Sequence, residues 1–208
     1  MNVTEIAPGL WRWTAWHEEW KQEVGSLYWE SSDAVVVIDP LVPADDAEFW
    51  RALDRDLERA GAPLHVLITI FWHARSAGEV VRRHGGRLWA PSRARAAIER
   101  RTHAVTDVFR PGDPLPGGAE AYSTARSTEV VYWLPGPKAI VPGDVILGAE
   151  GGGLRLCPES WLPEGTGHAE LRDSLAPLLE LPVERVLVSH GEPVLTGGRE
   201  ALAILMTR

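Results

Sequence analysis

The chain has one cysteine, Cys157, in 208 residues. An internal disulfide is therefore excluded, and a reducing compartment such as the cytoplasm is the expected location. A lone thiol with no base beside it in sequence reads as a structural residue. No run of 18 apolar residues occurs, so no membrane-spanning helix is expected. The opening "MNVTEIAPGL" lacks a basic stretch followed by an apolar run, so no signal peptide is expected either. An excess of positive charge is also missing. The formal net charge is −8, which disfavours nucleic acid and anionic membranes as partners, because both attract basic surfaces. There is no G-x-S-x-G elbow, and the "GGG" at 151–153 leads into "LRLCPES" rather than into a helix, so no phosphate loop is expected. A small molecule remains the natural ligand class, and a homo-oligomer is compatible with all of this.

What is present is ordinary in bulk and uneven in detail. Hydrophobic residues make up 45% and charged residues 24% of the chain, as in a soluble globular protein. The length fits a single domain, 1–208, with a sizeable core. Ten tryptophans are unusual for this length, and four of them fall in "LWRWTAWHEEW" (Trp11, Trp13, Trp16 and Trp20). They serve either as hairpin and core packing or as an aromatic rim over a pocket.

The pattern along the chain predicts strands at 10–16 and 24–30, then a buried strand in "DAVVVIDP" stopped by Pro40. A helix follows in "PADDAEFWRALDRDLERAG", with acids at its start and Gly61 at its end. "LHVLITI" is a second buried strand. "SAGEVVRRHGG" is a short helix, "RLWAP" a strand, and "SRARAAIERR" a helix with Ser92 as expected N-cap. "HAVTDVFRPGDPLPGG" reads as a turn-rich excursion. "EVVYWLPGPKAIVPGDVI" reads as strand, turn, strand. Residues 148–167 read as one long Gly- and Pro-rich loop, of the kind that forms lids. A helix containing Pro177, a strand into "SHGEP", and a closing helix in "GGREALAILMTR" complete the chain. Strands with helices interleaved in each half predict an α/β fold of two sheets with helices outside, a four-layer αββα sandwich.

Four segments in this order resemble the metallo-β-lactamase superfamily over nearly the whole chain. They are "VVVIDP", "LITIFWHARSAGE", "VVYWLPGPKAIVPGDVI" and "VLVSHGEP". The resemblance implies the αββα fold. It also implies hydrolysis of an ester, thioester or amide-like bond by a dinuclear zinc site built on a T-H-x-H-x-D-H motif. Aligned from Thr69, the histidine positions of that motif fall on Ile70, Trp72 and Arg75, and its aspartate on Ala74. His73 occupies a variable position. A further family histidine falls near Ala125. Asp144 matches the bridging aspartate and His190 the last histidine.

One carboxylate and one imidazole do not hold two ions, so loss of the dinuclear site, with no resident cofactor, is the expectation. Arg75, a fixed cation, is expected to pair with Asp144 where an ion would lie. The candidate catalytic set is His73, Arg75, Asp144 and His190: either histidine as base, Asp144 orienting it, and Arg75 holding an anionic group or oxyanion. Two alternatives stay open. One is a single zinc or other divalent ion on His73, Asp144 and His190, since three ligands and an open position suffice for catalytic zinc. The other is a non-catalytic ligand-binding or oligomeric scaffold. Asp39 resembles a family position that orders the metal-loop backbone. Arg126 and Tyr122 are candidates to line the cleft, and either Glu129 or Val130 is expected to face inward. His17, His65, His84, His103 and His168 read as surface or structural, with His168 nearest the long loop.

Overall fold

The computed structural model describes residues 1–207. The chain divides into two compact units, Met1–Phe109 and a second from Arg110 onward. The first unit is built on a seven-stranded sheet. Its strands are β1 (Asn2–Ala7), β2 (Leu10–His17), β3 (Gln22–Glu30), β4 (Val35–Ile38), β5 (Leu64–Leu67), β6 (Arg87–Pro91) and β7 (Val105–Phe109), in that spatial order. The strands from β1 to β4 pair antiparallel and those from β4 to β7 pair parallel. Every residue of β4 is buried, as expected for a strand covered on both faces.

The helices α1 (Ala47–Ala60), α2 (Ala77–His84) and α3 (Arg95–Thr102) connect the parallel strands. α1 buries Phe49, Trp50 and Leu53. It stops at Gly61, which adopts the left-handed conformation (φ 61°) that closes a helix end without Cβ strain. Its acids do not cap it: the Asp46 carboxylate accepts a hydrogen bond from the Trp50 indole at 3.0 Å instead. α2 closes at Gly85 in the same way, at φ 67°. The parallel register sets Ile38 beside Leu67. The chain therefore leaves β4 and β5 at the same sheet edge, where ligand sites of parallel sheets form.

The second unit holds a four-stranded sheet in the order β13, β10, β9, β8. These are β8 (Glu120–Ser123), β9 (Val130–Leu134), β10 (Ala139–Val141) and β13 (Arg185–Val186). A separate hairpin pairs β11 (Ile146–Gly148) with β12 (Leu154–Leu156). The helices are α4 (His168–Leu175) and α5 (Gly198–Thr207). Leu171, Leu175, Leu202 and Leu205 join Val131, Ile140 and Val186 in one buried cluster.

The structure departs from the expected elements in six places, one of them β8, a four-residue edge strand that the sequence reading did not include. β1 was not anticipated, because it is an edge strand with most side chains exposed. β7 lies inside the stretch read as turns. It alternates between exposed and half-buried residues, so no buried run marks it. Ser92 does not cap α3, which begins behind Ala94; the Ser92 N–H instead donates to the Phe109 carbonyl. The 148–167 loop begins as a hairpin. Gly151, Gly152 and Gly153 all have positive φ (80°, 103° and 82°), so the three glycines make its turn. Finally, the helix around Pro177 does not continue: α4 ends at Leu175 and a 3-10 turn spans Ala176–Glu180. Among the described residues, no helix is long and apolar enough to cross a membrane.

Candidate functional site

The candidate residues gather at strand ends in each unit. In the first unit the focus is a buried carboxylate and a buried imidazole. Asp39 directly follows β4 with φ 50°, a left-handed conformation that a non-glycine residue enters at a cost. Its Oδ1 accepts the Thr69 N–H at 2.9 Å. Its Oδ2 accepts the Thr69 hydroxyl in a short hydrogen bond and lies 2.9 Å from His73 Nδ1. His73 sits on the 3-10 turn Phe71–Ala74 and is fully buried. A carboxylate can only accept, so the arrangement places the imidazole proton on Nδ1 and leaves the lone pair on Nε2. The function of "IDP" follows directly: Asp39 ties the loop after β5 to the end of β4 and fixes the His73 tautomer.

Arg75 is held in the same neighbourhood. Its Nη1 donates to the Gly25 carbonyl at 3.1 Å and the Asp39 carbonyl at 3.0 Å. Its guanidinium carbon lies 5.4 Å from the centre of the Trp20 ring, within cation–π range. Trp20, in the turn between β2 and β3, stacks on His17 at 3.9 Å with the planes 8° apart. The Trp20 ring centre is 5.9 Å from that of His73. The hairpin tip thus supplies an aromatic wall beside the imidazole. Trp20 and His17 were not among the expected site residues. The Trp-rich stretch was the available signal, but it does not say which indole turns toward His73.

In the second unit Asp144 and His190 are brought together, with Asp144 Oδ1 3.2 Å from His190 Nε2. Asp144 follows β10 through Pro142 and Gly143. Its backbone is fixed by Glu129: one carboxylate oxygen accepts the Asp144 N–H in a short hydrogen bond and the Val145 N–H at 2.8 Å. The other oxygen pairs with Arg126 Nη1 at 2.7 Å. Arg126 Nη2 reaches on to the Trp161 carbonyl at 2.5 Å. Burial and the Asp144 charge push the Glu129 carboxyl up to about 7, while Arg126 and the two backbone N–H groups pull it down. Glu129 and Val130 are both buried, so burial does not distinguish which of the two faces inward. Arg126 is committed to this buried pair rather than displayed to solvent, and the Tyr122 hydroxyl donates to Glu120 at 2.9 Å.

The turn carrying His190 is locked by glycines. The Gly148 N–H donates to the His190 carbonyl at 2.9 Å. A Cβ on Gly148 would lie 2.5 Å from the Glu192 backbone nitrogen. Gly148→Ala must therefore displace the 190–192 turn. It is expected to destabilise the protein by about 1–3 kcal/mol, as overpacking does, and to shift the His190 ring resonances in NMR spectra. Unchanged His190 shifts would show that this contact does not set the imidazole.

Cys157 is buried and follows β12. Burial raises its thiol pKa to about 11. Alkylation by a thiol reagent at neutral pH is expected only after denaturation, and rapid labelling of the native protein would contradict the structure. His168 Nε2 lies 2.7 Å from the Cys157 carbonyl, pinning α4 to the strand end.

No model of a known protein family matches the chain, and no curated protein matches it in sequence. Solved structures do. A metallo-β-lactamase from Pontibacter korlensis shares 19% identity, covering 100% of this chain and 99% of the other at a TM-score of 0.70. One from Hirschia baltica shares 16% (99% and 96% covered, TM-score 0.68). The metallo-β-lactamase IND-7 shares 15% (100% and 98% covered, TM-score 0.68). Likeness at such low identity speaks for architecture and not for activity. The chain adopts the metallo-β-lactamase fold.

Proposed function

We propose that the protein is a hydrolase of a small molecule with an ester, thioester or amide-like bond, with His73 and the Asp144–His190 pair as its candidate catalytic groups. The observation that carries this reading is the Asp39–His73 contact. A fully buried imidazole whose Nδ1 is held by a carboxylate at 2.9 Å presents one basic nitrogen in one orientation. Both metal ligation and general-base catalysis need that arrangement.

The residues of the turn do not fit a dinuclear zinc site. Ile70 and Ala74 are apolar and fully buried at two of the motif's ligand positions, and Trp72 and Arg75 occupy the other two. A single divalent ion is a better match to the donor chemistry. By residue type, His73, Asp144 and His190 would offer two imidazoles and a carboxylate, the number and kind of ligand that catalytic zinc takes with one position left open. Such an ion, when bound, supplies a water of lowered pKa. The chain's own part is to hold His73 by Asp39 and Asp144 by Glu129, and to offer Arg75 to an anionic group or a developing oxyanion.

A second reading rests on Arg75. Its guanidinium is fixed by two backbone carbonyls and the Trp20 face, and a permanent cation there opposes a metal and favours pairing with Asp144. His73 or His190 then acts as base without a metal.

Elemental analysis of purified protein and a hydrolase substrate panel, run with and without chelator, separate the two. One zinc per chain with chelator-sensitive turnover is the result expected of the single-ion reading. Metal-free protein whose turnover survives chelator and is lost in His73→Ala or His190→Ala supports the second. Absence of turnover across the panel, with a ligand-induced thermal shift, would replace both by a binding role.

A further inference from the structure

Away from His73, the first unit contains a recess between α1 and the sheet at β1, β2 and β3. It encloses about 510 Å³, within the range of small-molecule pockets. Its wall is aromatic. Trp11 meets Tyr28 edge-on at 5.6 Å and Trp13 meets Phe49 at 5.5 Å. The register explains this grouping: Val3 lies opposite Trp13, and Trp11 opposite Tyr28, so these side chains share the sheet face that α1 covers. On the α1 side the lining includes Ala52, which contributes only a methyl group.

The polar groups at the rim are few and of both signs. Asp56 is engaged by Arg55 at 3.2 Å, and the Trp13 indole N–H donates to the Leu41 carbonyl at 2.9 Å. Tyr28 donates to Glu30 at 2.9 Å. Three lining groups keep their capacity: Glu48, Arg51 and the Trp11 indole N–H have no hydrogen-bond or ion-pair partner among the described residues. Glu48 and Arg51 stand one helical turn apart, so one anion and one cation border the same aromatic recess.

We propose that this recess binds a zwitterion with a large apolar side chain, an α-amino acid or a dipeptide. The carboxylate pairs with Arg51 and accepts from Trp11. The ammonium meets Glu48 and an indole face, and the apolar side chain lies against Trp13 and Phe49. A purely anionic ligand would leave Glu48 opposed, and a purely cationic one would leave Arg51 opposed. The proposal is independent of the chemistry at His73, whose residues lie on other strand ends.

Calorimetry with L-phenylalanine and L-phenylalanyl-L-leucine tests it against 3-phenylpropionate and 2-phenylethylamine. At least one zwitterion is expected to bind about tenfold or more tighter than either singly charged analogue, a gap of about 1.4 kcal/mol. Glu48→Gln and Arg51→Gln, both on the exposed helix surface, are each expected to weaken it about tenfold. Ala52→Phe is expected to fill the recess and abolish binding while the melting temperature is kept. Equal binding of 3-phenylpropionate, no binding of either zwitterion, or undiminished binding by a folded Ala52→Phe protein overturns the assignment.

Discussion

Glu129→Ala is expected to cost about 3–5 kcal/mol of folding stability, the scale for removing one partner of a buried ion pair. The side chain is buried and serves three donors at once: Arg126 Nη1 and the N–H groups of Asp144 and Val145. Truncation leaves all three without their acceptor. It also releases the carboxylate that sets the backbone of Asp144 and, through Arg126, the Trp161 carbonyl. A domain of this size has about 5–15 kcal/mol in total, so the variant should lie near its unfolding threshold.

Glu129→Gln is the informative companion. Its amide oxygen still accepts from the two backbone N–H groups, but the amide NH2 that replaces the other oxygen cannot accept from Arg126, so the ion pair and its hydrogen bond are both lost. A loss of about 1–3 kcal/mol is expected. Urea denaturation measures both. If Glu129→Ala cost under about 1 kcal/mol, within the range of a single ordinary hydrogen bond, water would have to be serving the three donors.

Asp39→Asn should change chemistry more than stability. Oδ1 can still accept the Thr69 N–H, but an amide group in the place of Oδ2 presents N–H to His73 Nδ1. The imidazole must then accept at Nδ1 and carry its proton on Nε2, which removes the only nitrogen available for a ligand or a substrate proton. The same tautomer logic governs Asp–His pairs in hydrolytic triads. Nitrogen NMR of the His73 ring is the direct measurement, because it reads the tautomer whether or not a metal is present. Zinc affinity, where zinc binds, is expected to fall about 10- to 100-fold, the effect of losing a carboxylate behind a ligating histidine. Retention of the Nδ1–H tautomer in Asp39→Asn would remove the basis for assigning Asp39 a positioning role.

Much of the architecture was legible in advance, because it is written in local patterns. β4 is a fully apolar run stopped by proline, α1 has acids before it and glycine behind it, and β9 and β10 flank a "PGP" turn. These signals need only neighbours in sequence. β1 and β7 escaped because edge strands carry no buried apolar run, and the β11–β12 hairpin escaped because three glycines hide a turn inside apparent low complexity. Asp144 and His190 were legible as a pair through the resemblance, and the structure sets them 3.2 Å apart.

By itself, the sequence determined that Ile70, Trp72, Ala74 and Arg75 stand where a zinc-binding turn would carry its ligands, since side-chain chemistry alone excludes three of them as donors and makes the fourth a permanent cation. Only the tertiary structure decided what His73 is. Thirty-four positions separate it from Asp39, and no local pattern reports that pairing. It arises because β4 and β5 run parallel and release their chains at one edge, so a strand-end carboxylate meets an imidazole from the next turn. The same physics assigned Glu129 its place. A charged residue entering an apolar strand is an anomaly in sequence, and it becomes intelligible once folding brings Arg126 and two backbone N–H groups to its two oxygens.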